Sequence, residues 1–362
     1  DAGCGTGTTV VAAAMNNPEI GITALDLNPS SIDRARDLAA EKGVEDRIRF
    51  LTMPIENVEE LGEKFDYINS IGVLHHLERP DRGLRALANC LQDDGGMFLM
   101  LYGTHGRAEL YVLQDLFRLL TTNDDHDRVA FIRRTLDDIE SQKRVRLPND
   151  DEGLADALIN PRDRSYTVPE VFDLVDSCDL NLIQFYDAAA YNPQRYLKDS
   201  EAGRRLEALG TKDRAYAAEL LNGRIGNHYF FIGGEGNRRT RKSCESVALE
   251  DRYPIRSHRF DWDEIQRHED SSQVVYRIRE KSYGIVPPRT ITFGELALDI
   301  LSSCDGSVAV RPLAEHPILG PKLPGQGLAM RLDNLGELLT GLVSEEVVHL
   351  SPVPTAIPSS RS

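Results

Sequence analysis

The sequence predicts a doubly wound α/β domain with a mostly parallel sheet, followed by a smaller α+β domain. Three observations carry this expectation. Short apolar runs at residues 22–27, 47–52, Phe65–Ile71 and 97–102 alternate with helical patterns. Strands separated by helices take right-handed crossovers, which run the strands parallel and set helices on the sheet faces. A glycine-rich turn, Asp1-Ala2-Gly3-Cys4-Gly5-Thr6-Gly7, opens the chain just ahead of a helical stretch. A Gly-, Arg- and Ser-rich segment at 233–246 then divides the sequence. The expected organisation is a first domain over 1–235, a linker over 236–250 and a second domain over 251–362.

The elements follow in order. Residues 22–27 read as a strand, and 29–43 as a helix with Ser30 or Ser31 as its cap and Ile32, Ala35 and Ala39 on its apolar face. Strands follow at 47–52 and Phe65–Ile71, then a helix at 81–91. Gly95-Gly96 reads as a turn before a strand at 97–102. Residues 105–165 depart from this rhythm. Two amphipathic helices, at Ala108–Leu120 and 128–140, are set among polar stretches at 121–127 and 148–153, which is the pattern of a helical lid inserted after a strand. The stripe Leu110, Leu113, Leu116 and Phe117 reads as packing for that lid. The sheet pattern resumes with a helix at 168–178 capped by Thr167, a strand at 180–186, helical sequence over 200–222 and a closing strand at 228–233. Tyr191 and Tyr196 fall in a loop that either packs or closes over a ligand. The tail reads as helices at 293–304, 308–315 and 333–342, a turn at 304–307 and a strand at 346–350, with Pro352, Pro354 and Pro358 marking a frayed end.

Composition narrows the function classes. The 362 residues carry 42 Lys+Arg against 58 Asp+Glu, a net charge of −16. An acidic surface repels phosphate backbones, so nucleic-acid binding is not expected. The basic run at 238–242 reads as a solvated linker. No apolar run approaches the ~18 residues of a membrane helix, so no membrane partner is expected. Five cysteines are scattered without a CxxC pair, which points to neither a zinc site nor a disulfide framework and suits a reducing cytoplasm. The chain opens inside a turn, so it is expected to be a piece lacking the body of its first strand.

The chemistry centres on the opening turn. Glycines at alternate positions allow a sharp turn and close approach of a ligand, and the next helix aims its N-terminus there. Asp26 ends the following strand, where a carboxylate can accept both hydroxyls of a ribose. The glycine spacing is GxGxG rather than the GxGxxG of nicotinamide dinucleotide sites.

These blocks resemble class I S-adenosylmethionine-dependent methyltransferases. DAGCGTG at 1–7 resembles the first motif and ALDLNPSSIDRAR the second strand and its helix. FDYINSIGVLHHLERP resembles the fourth-strand motif. LANCLQDDGGMFLMLYG resembles the helix, turn and fifth strand. YTVPEVFDLVDSCDLNLIQFYD and NHYFFIGG resemble the closing helix and last two strands. The resemblance covers 1–103 and, more loosely, 165–234. It implies a Rossmann-like methyltransferase sheet with S-adenosylmethionine as cofactor. It implies that Gly3, Gly5 and Gly7 line the methionine and ribose, that Asp1 lies beneath the methionine amino group, that Asp26 binds the ribose and that Leu27 packs on the adenine. Asn69, Ile71 and Gly72 fall beside the methionine moiety. Pro54 stands where the family often has an Asp for the adenine amino group, which leaves the backbone of Ile55 or the carboxylate of Glu56 to substitute.

Methyl transfer from a sulfonium needs alignment first, and a base where the acceptor must lose a proton. His75 and His76 are the catalytic candidates, with loop orientation as the alternative for both. Tyr102, His105 and Arg107 are expected to rim the acceptor pocket, Arg107 being able to hold a carboxylate or phosphate. The acceptor is expected to be a small molecule or a protein side chain. The alternatives are a non-catalytic or regulatory protein on the same fold and, disfavoured by the glycine spacing, a nicotinamide-dependent oxidoreductase. No metal is expected. The tail resembles, faintly, a winged-helix module that would contact a peptide or protein.

Overall fold

A computed structural model describes residues 1–121, 127–139, 147–149, 151–160, 162–197, 200–234, 253–256, 265–270, 273–279, 290–304, 309–315, 319–324, 330, 335, 338–339 and 348–351. The chain divides into two units, Asp1–Arg238 and Arg239–Ser362.

In the first unit, β1 (Ile22–Asp26) pairs in parallel with β2 (Ile48–Thr52). Its apolar inner residues are held by α1 (Thr8–Asn16) and α2 (Pro29–Glu41): Val10, Val11 and Ala14 pack with Ile32, Ala35 and Ala39 against Ala24 and Phe50. Asn28, rather than Ser30 or Ser31, caps α2, accepting from the Ser30 N–H at 3.0 Å. The sheet continues through β3 (Phe65–Ile71), parallel to β4 (Leu91–Gly103). The opening residues join the halves. Ala2 bridges Leu25 in parallel, donates its N–H to Asn69 at 2.7 Å, and accepts from the Ser70 hydroxyl at 2.9 Å. Beyond β4 lie antiparallel β7 (Asn227–Gly233) and then β6 (Asn181–Phe185), while short β5 (Ser165–Tyr166) pairs with the far end of β4. A second core unites Leu84 and Leu87 of α3 (Pro80–Asn89), Val168, Val171 and Val175 of α7 (Val168–Asp176), and Leu99, Leu101 and Phe230 of the sheet.

Two expectations need correcting here. Gly95-Gly96 makes no turn: Leu91 pairs with Phe65 and Gly96 with Tyr67, so the intervening residues bulge within a continuous β4. The polar stretch expected at 148–153 gives way from Asp151 to a helix, α6 (Asp151–Ile159). Its Asp-Glu-Gly opening hides an apolar face that begins only at Leu154. With α4 (Ala108–Leu120) and α5 (Arg128–Asp138), α6 closes a separate cluster of Leu110, Phe117, Ile132, Leu136, Leu154, Ala157 and Leu158. The insertion is thus a cap with its own core. Helical sequence over 200–222 resolves into α8 (Glu201–Glu207) and α9 (Thr211–Asn222).

The second unit begins with β8 (Tyr253–Arg256), whose antiparallel partner is β12 (Val348–Ser351). Strands β9 (Gln266–Asp270), β10 (Gln273–Arg279) and β11 (Thr290–Gly294) form an antiparallel meander that the sequence pattern does not announce. Because β11 takes Phe293, the helix expected from 293 starts later, as α10 (Glu295–Ser302). With α11 (Val310–Glu315) it buries Ile300, Leu301, Cys304, Val310 and Leu313. The linker at 236–250, its basic run, the turn after Cys304 and the terminal prolines lie outside the described residues. So does most of the helix expected at 333–342.

Candidate functional site

The site forms at the C-terminal ends of β1, β3 and β4, where open α/β sheets take their ligands. Gly3, Gly5 and Gly7 all have positive φ, at 87°, 52° and 85°. Two of them are glycines because protein presses on them. A Cβ at Gly3 would lie 2.3 Å from Val73 Cγ2, and one at Gly7 would lie 2.7 Å from Ala35 Cβ. Gly5 differs, for nothing lies within 4 Å of its Cβ position. Of the three, Gly5 alone has open space where a side chain would stand.

Asp26 holds the turn in place. Its Oδ2 accepts the Gly5 N–H at 2.9 Å and its Oδ1 accepts the Asn28 N–H at 2.9 Å. Each oxygen keeps a lone pair for a further donor. Leu27 beside it is 71% exposed, an apolar face next to a carboxylate. Cys4 lies behind the turn, and burial together with the nearby Asp26 charge pushes its thiol up to about 11. Asn69 reaches the Asp1 carboxylate at 3.4 Å from the end of β3, and Gly72, at φ 77°, follows one residue past that strand. Pro54 precedes a short 3-10 helix, Ile55–Leu61. The Ile55 side chain is buried in the core, so only its backbone can face a ligand. As the first helical residue it has no acceptor for its N–H within the helix.

The acceptor half is built by the cap as much as by the sheet. The Tyr102 hydroxyl, at the end of β4, donates to Asp156 Oδ2 at 2.8 Å. The other oxygen of Asp156 lies 3.3 Å from His76 Nε2 and accepts from Asn160 Nδ2 at 3.0 Å. His76 Nδ1 lies 2.9 Å from the Arg162 carbonyl and 3.0 Å from Asn160 Nδ2. His75 is different. It is 1% exposed and stacks on Tyr102 with ring centroids 3.8 Å apart. Burial, reinforced by His76 and Arg107, drives its pKa to about 2, so it is a neutral ring. A group so hard to protonate is a poor base at neutral pH.

Arg107 lies flat over the Tyr102 ring, 3.5 Å from its centroid, and pairs with Asp163 at 3.3 Å. Asp163 is fully buried and also accepts from Gln114 at 2.8 Å. The charge of Arg107 is thus cancelled inside the protein, which removes the basis for expecting a clamp on an anionic substrate. His105 sits 6.5 Å from the Tyr216 ring, off the Tyr102 stack. Tyr191 is packed away: it stacks on Phe185 at 3.7 Å and bonds His228 Nδ1 at 2.8 Å. Sequence reasoning missed Asp156, Asn160 and Asp163. The one available signal was the run Asn160-Pro161-Arg162-Asp163, a polar turn directly after an apolar helix face. Among the described residues no cluster of His, Cys, Asp or Glu could hold a metal ion, and no helix is long and apolar enough to cross a membrane.

Residues 1–98 match the family model of a methyltransferase domain. An uncharacterized protein of Synechococcus sp. is 34% identical over 246 residues, covering 64% of this chain and 59% of that one. The ubiquinone biosynthesis O-methyltransferase of Coxiella burnetii is 28% identical over 136 residues, covering 37% of this chain and 56% of the relative. The chain therefore spans somewhat over half the length of these curated relatives. The solved structure of PKMT2 from Rickettsia typhi in complex with AdoHcy superposes with a TM-score of 0.65 at 15% identity, covering 97% of this chain and 70% of that one. Residues 1–98 are thus similar to a methyltransferase domain, and the chain shares the fold of the Rickettsia typhi structure.

Proposed function

We propose that this methyltransferase domain binds S-adenosylmethionine across the turn from Asp1 to Gly7 and passes its methyl group in line to an acceptor held under the cap. The observation that carries this reading is Gly5, the open glycine of the turn, with its N–H fixed by Asp26. The cofactor, when bound, supplies an already activated methyl on a sulfonium, so the protein's task is mainly alignment. Asp26 takes the ribose hydroxyls on its remaining lone pairs, and Leu27 offers the adenine an apolar face. The Ile55 backbone N–H takes over the polar contact that Pro54 cannot make. Asp1, Gly3, Gly7, Asn69 and Gly72 shape and line the methionine end. Tyr102, His76 and Arg107 face the acceptor, with His105 at the rim. A helical cap over the site favours a small-molecule acceptor over a protein side chain, and the O-methyltransferase relative supports an oxygen acceptor.

The first test is calorimetric titration with S-adenosylhomocysteine. Hydrogen bonds to a charged group are worth about 1.5–3 kcal/mol each, and about 1.4 kcal/mol is tenfold. Asp26→Ala should therefore bind at least tenfold more weakly than wild type. Equal affinity in the two proteins would remove Asp26 from the site.

A further inference from the structure

Helix α4 of the cap has two faces. Leu110, Gln114 and Phe117 are buried and turn inward. With about 3.6 residues per turn, Ala108, Val112, Leu116 and Leu119 fall together on the opposite face. That face is apolar and meets solvent. Val112 is 69% exposed, Leu119 is 85% exposed and Leu116 is half-buried. Single apolar side chains are ordinary on a surface, but a continuous helical stripe marks an interaction face. One flank of the stripe carries an acid and a base. Asp115 and Arg118 are both exposed there and form an ion pair at 2.8 Å.

We propose that this face of α4 is a self-association surface, and that its occupant is α4 of a second copy, packed antiparallel across a two-fold axis near Leu116. A two-fold axis brings a patch onto itself. In antiparallel packing each flank of a helix faces the same flank of the other helix in reverse order. Asp115 then meets the partner's Arg118, and Arg118 meets the partner's Asp115, while Val112 packs against the partner's Leu119. An acid and a base that straddle the axis are self-complementary, whereas two like charges there would repel. A membrane surface fits less well. The flank's cation, Arg118, is already paired, and a protein with a net charge of −16 is repelled by anionic headgroups. Pairing leaves Leu110, Gln114 and Phe117 undisturbed, so the inference stands apart from the methyl-transfer reading.

The 13-residue α4 is about 20 Å long. Its seam is small, so the dimer should be weak, with a dissociation constant on the order of 10 μM. The test is sedimentation velocity of the full chain, from about tenfold below to about tenfold above that value. Wild type should pass from monomer to dimer. Leu119→Glu, which places an unpaired charge in the seam, should weaken association by about tenfold or more. Asp115→Arg should do the same by facing the partner's Arg118 with a like charge. Combining Asp115→Arg with Arg118→Asp should restore association to within about threefold of wild type. Circular dichroism should show equal helix content throughout, because every substituted side chain is exposed. If Leu119→Glu loses helix, Val112→Glu carries the same test with the same criterion. A monomer at every concentration, or a dimer that Leu119→Glu leaves intact, would overturn the proposal. Failure of the charge exchange to restore the dimer would overturn the antiparallel pairing. S-adenosylhomocysteine binding reports separately on the function proposed above, and its loss or presence leaves the sedimentation result to be judged alone.

Discussion

A side chain at Gly3 would meet Val73 at 2.3 Å, while one at Gly5 would meet nothing within 4 Å. The two positions therefore separate folding from binding. Gly3→Ala must displace Val73 and adopt a strained φ, which should lower stability by about 1–3 kcal/mol. Gly5→Ala has room and bears only the left-handed backbone cost of about 1–2 kcal/mol, but it places a methyl where the cofactor approaches. Thermal unfolding should rank Gly3→Ala as the less stable, and S-adenosylhomocysteine calorimetry should rank Gly5→Ala as at least tenfold weaker than wild type. Full affinity in Gly5→Ala would take the ligand away from this turn. The contrast also marks what the sequence could disclose at this scale. The glycines and Asp26 were legible because their roles depend on backbone shape and on spacing along one β–α–β unit. Asp156 and Asp163 were not, because an acid in a polar stretch carries no periodic signal. Their partners, Tyr102, His76 and Arg107, lie more than fifty residues away in the chain. The pairing of Arg107 with Asp163 likewise reverses what an isolated Arg suggests, since only the fold shows its charge already met.

The element that returns the chain from the cap to the sheet is held by an exposed and a buried set of polar contacts as well as by apolar packing. At the start of α7, Glu170 accepts from the N–H and hydroxyl of Thr167 at 2.7 and 2.8 Å, while Glu219 of α9 accepts the Val168 N–H at 2.8 Å. Glu219 and His228 are both fully buried and 3.5 Å apart, and His228 also bonds the Tyr166 carbonyl of β5 at 2.8 Å. Removing the carboxylate strands a buried N–H and leaves His228 without its acid neighbour. Glu219→Ala should thus lower the free energy of unfolding by about 3 kcal/mol, while Glu219→Gln, which keeps an acceptor for Val168, should lose less. Denaturant titration measures both. Neither change should alter S-adenosylhomocysteine affinity by more than twofold, as neither touches the turn. Elements with an apolar signature, such as β3 and α4, were legible to the residue. β9 was not, since Gln266–Asp270 holds no apolar residue and is a strand only through its pairing with β10.

At the scale of the whole molecule, the buried residues fall into clusters that respect the division at Arg238. The sheet, its helices and the cap are filled by residues between Ala2 and Ile232, and the second unit is filled by residues between Ile300 and Leu339. A unit of this length buries enough surface to fold alone, and every residue assigned to the cofactor and acceptor lies within it. A chain ending at Arg238 should therefore remain soluble, unfold in one cooperative transition and bind S-adenosylhomocysteine with wild-type affinity. The excess of acid over base also lies mostly ahead of the second unit, so the shortened protein keeps the net charge that favours solubility. Calorimetry and circular dichroism on residues 1–238 check both claims. If the shortened chain folds and binds, the second unit is left free for a role at the acceptor, such as contact with a peptide or protein. If it aggregates, the first unit depends on the second, and the boundary at Arg238 is not one of folding.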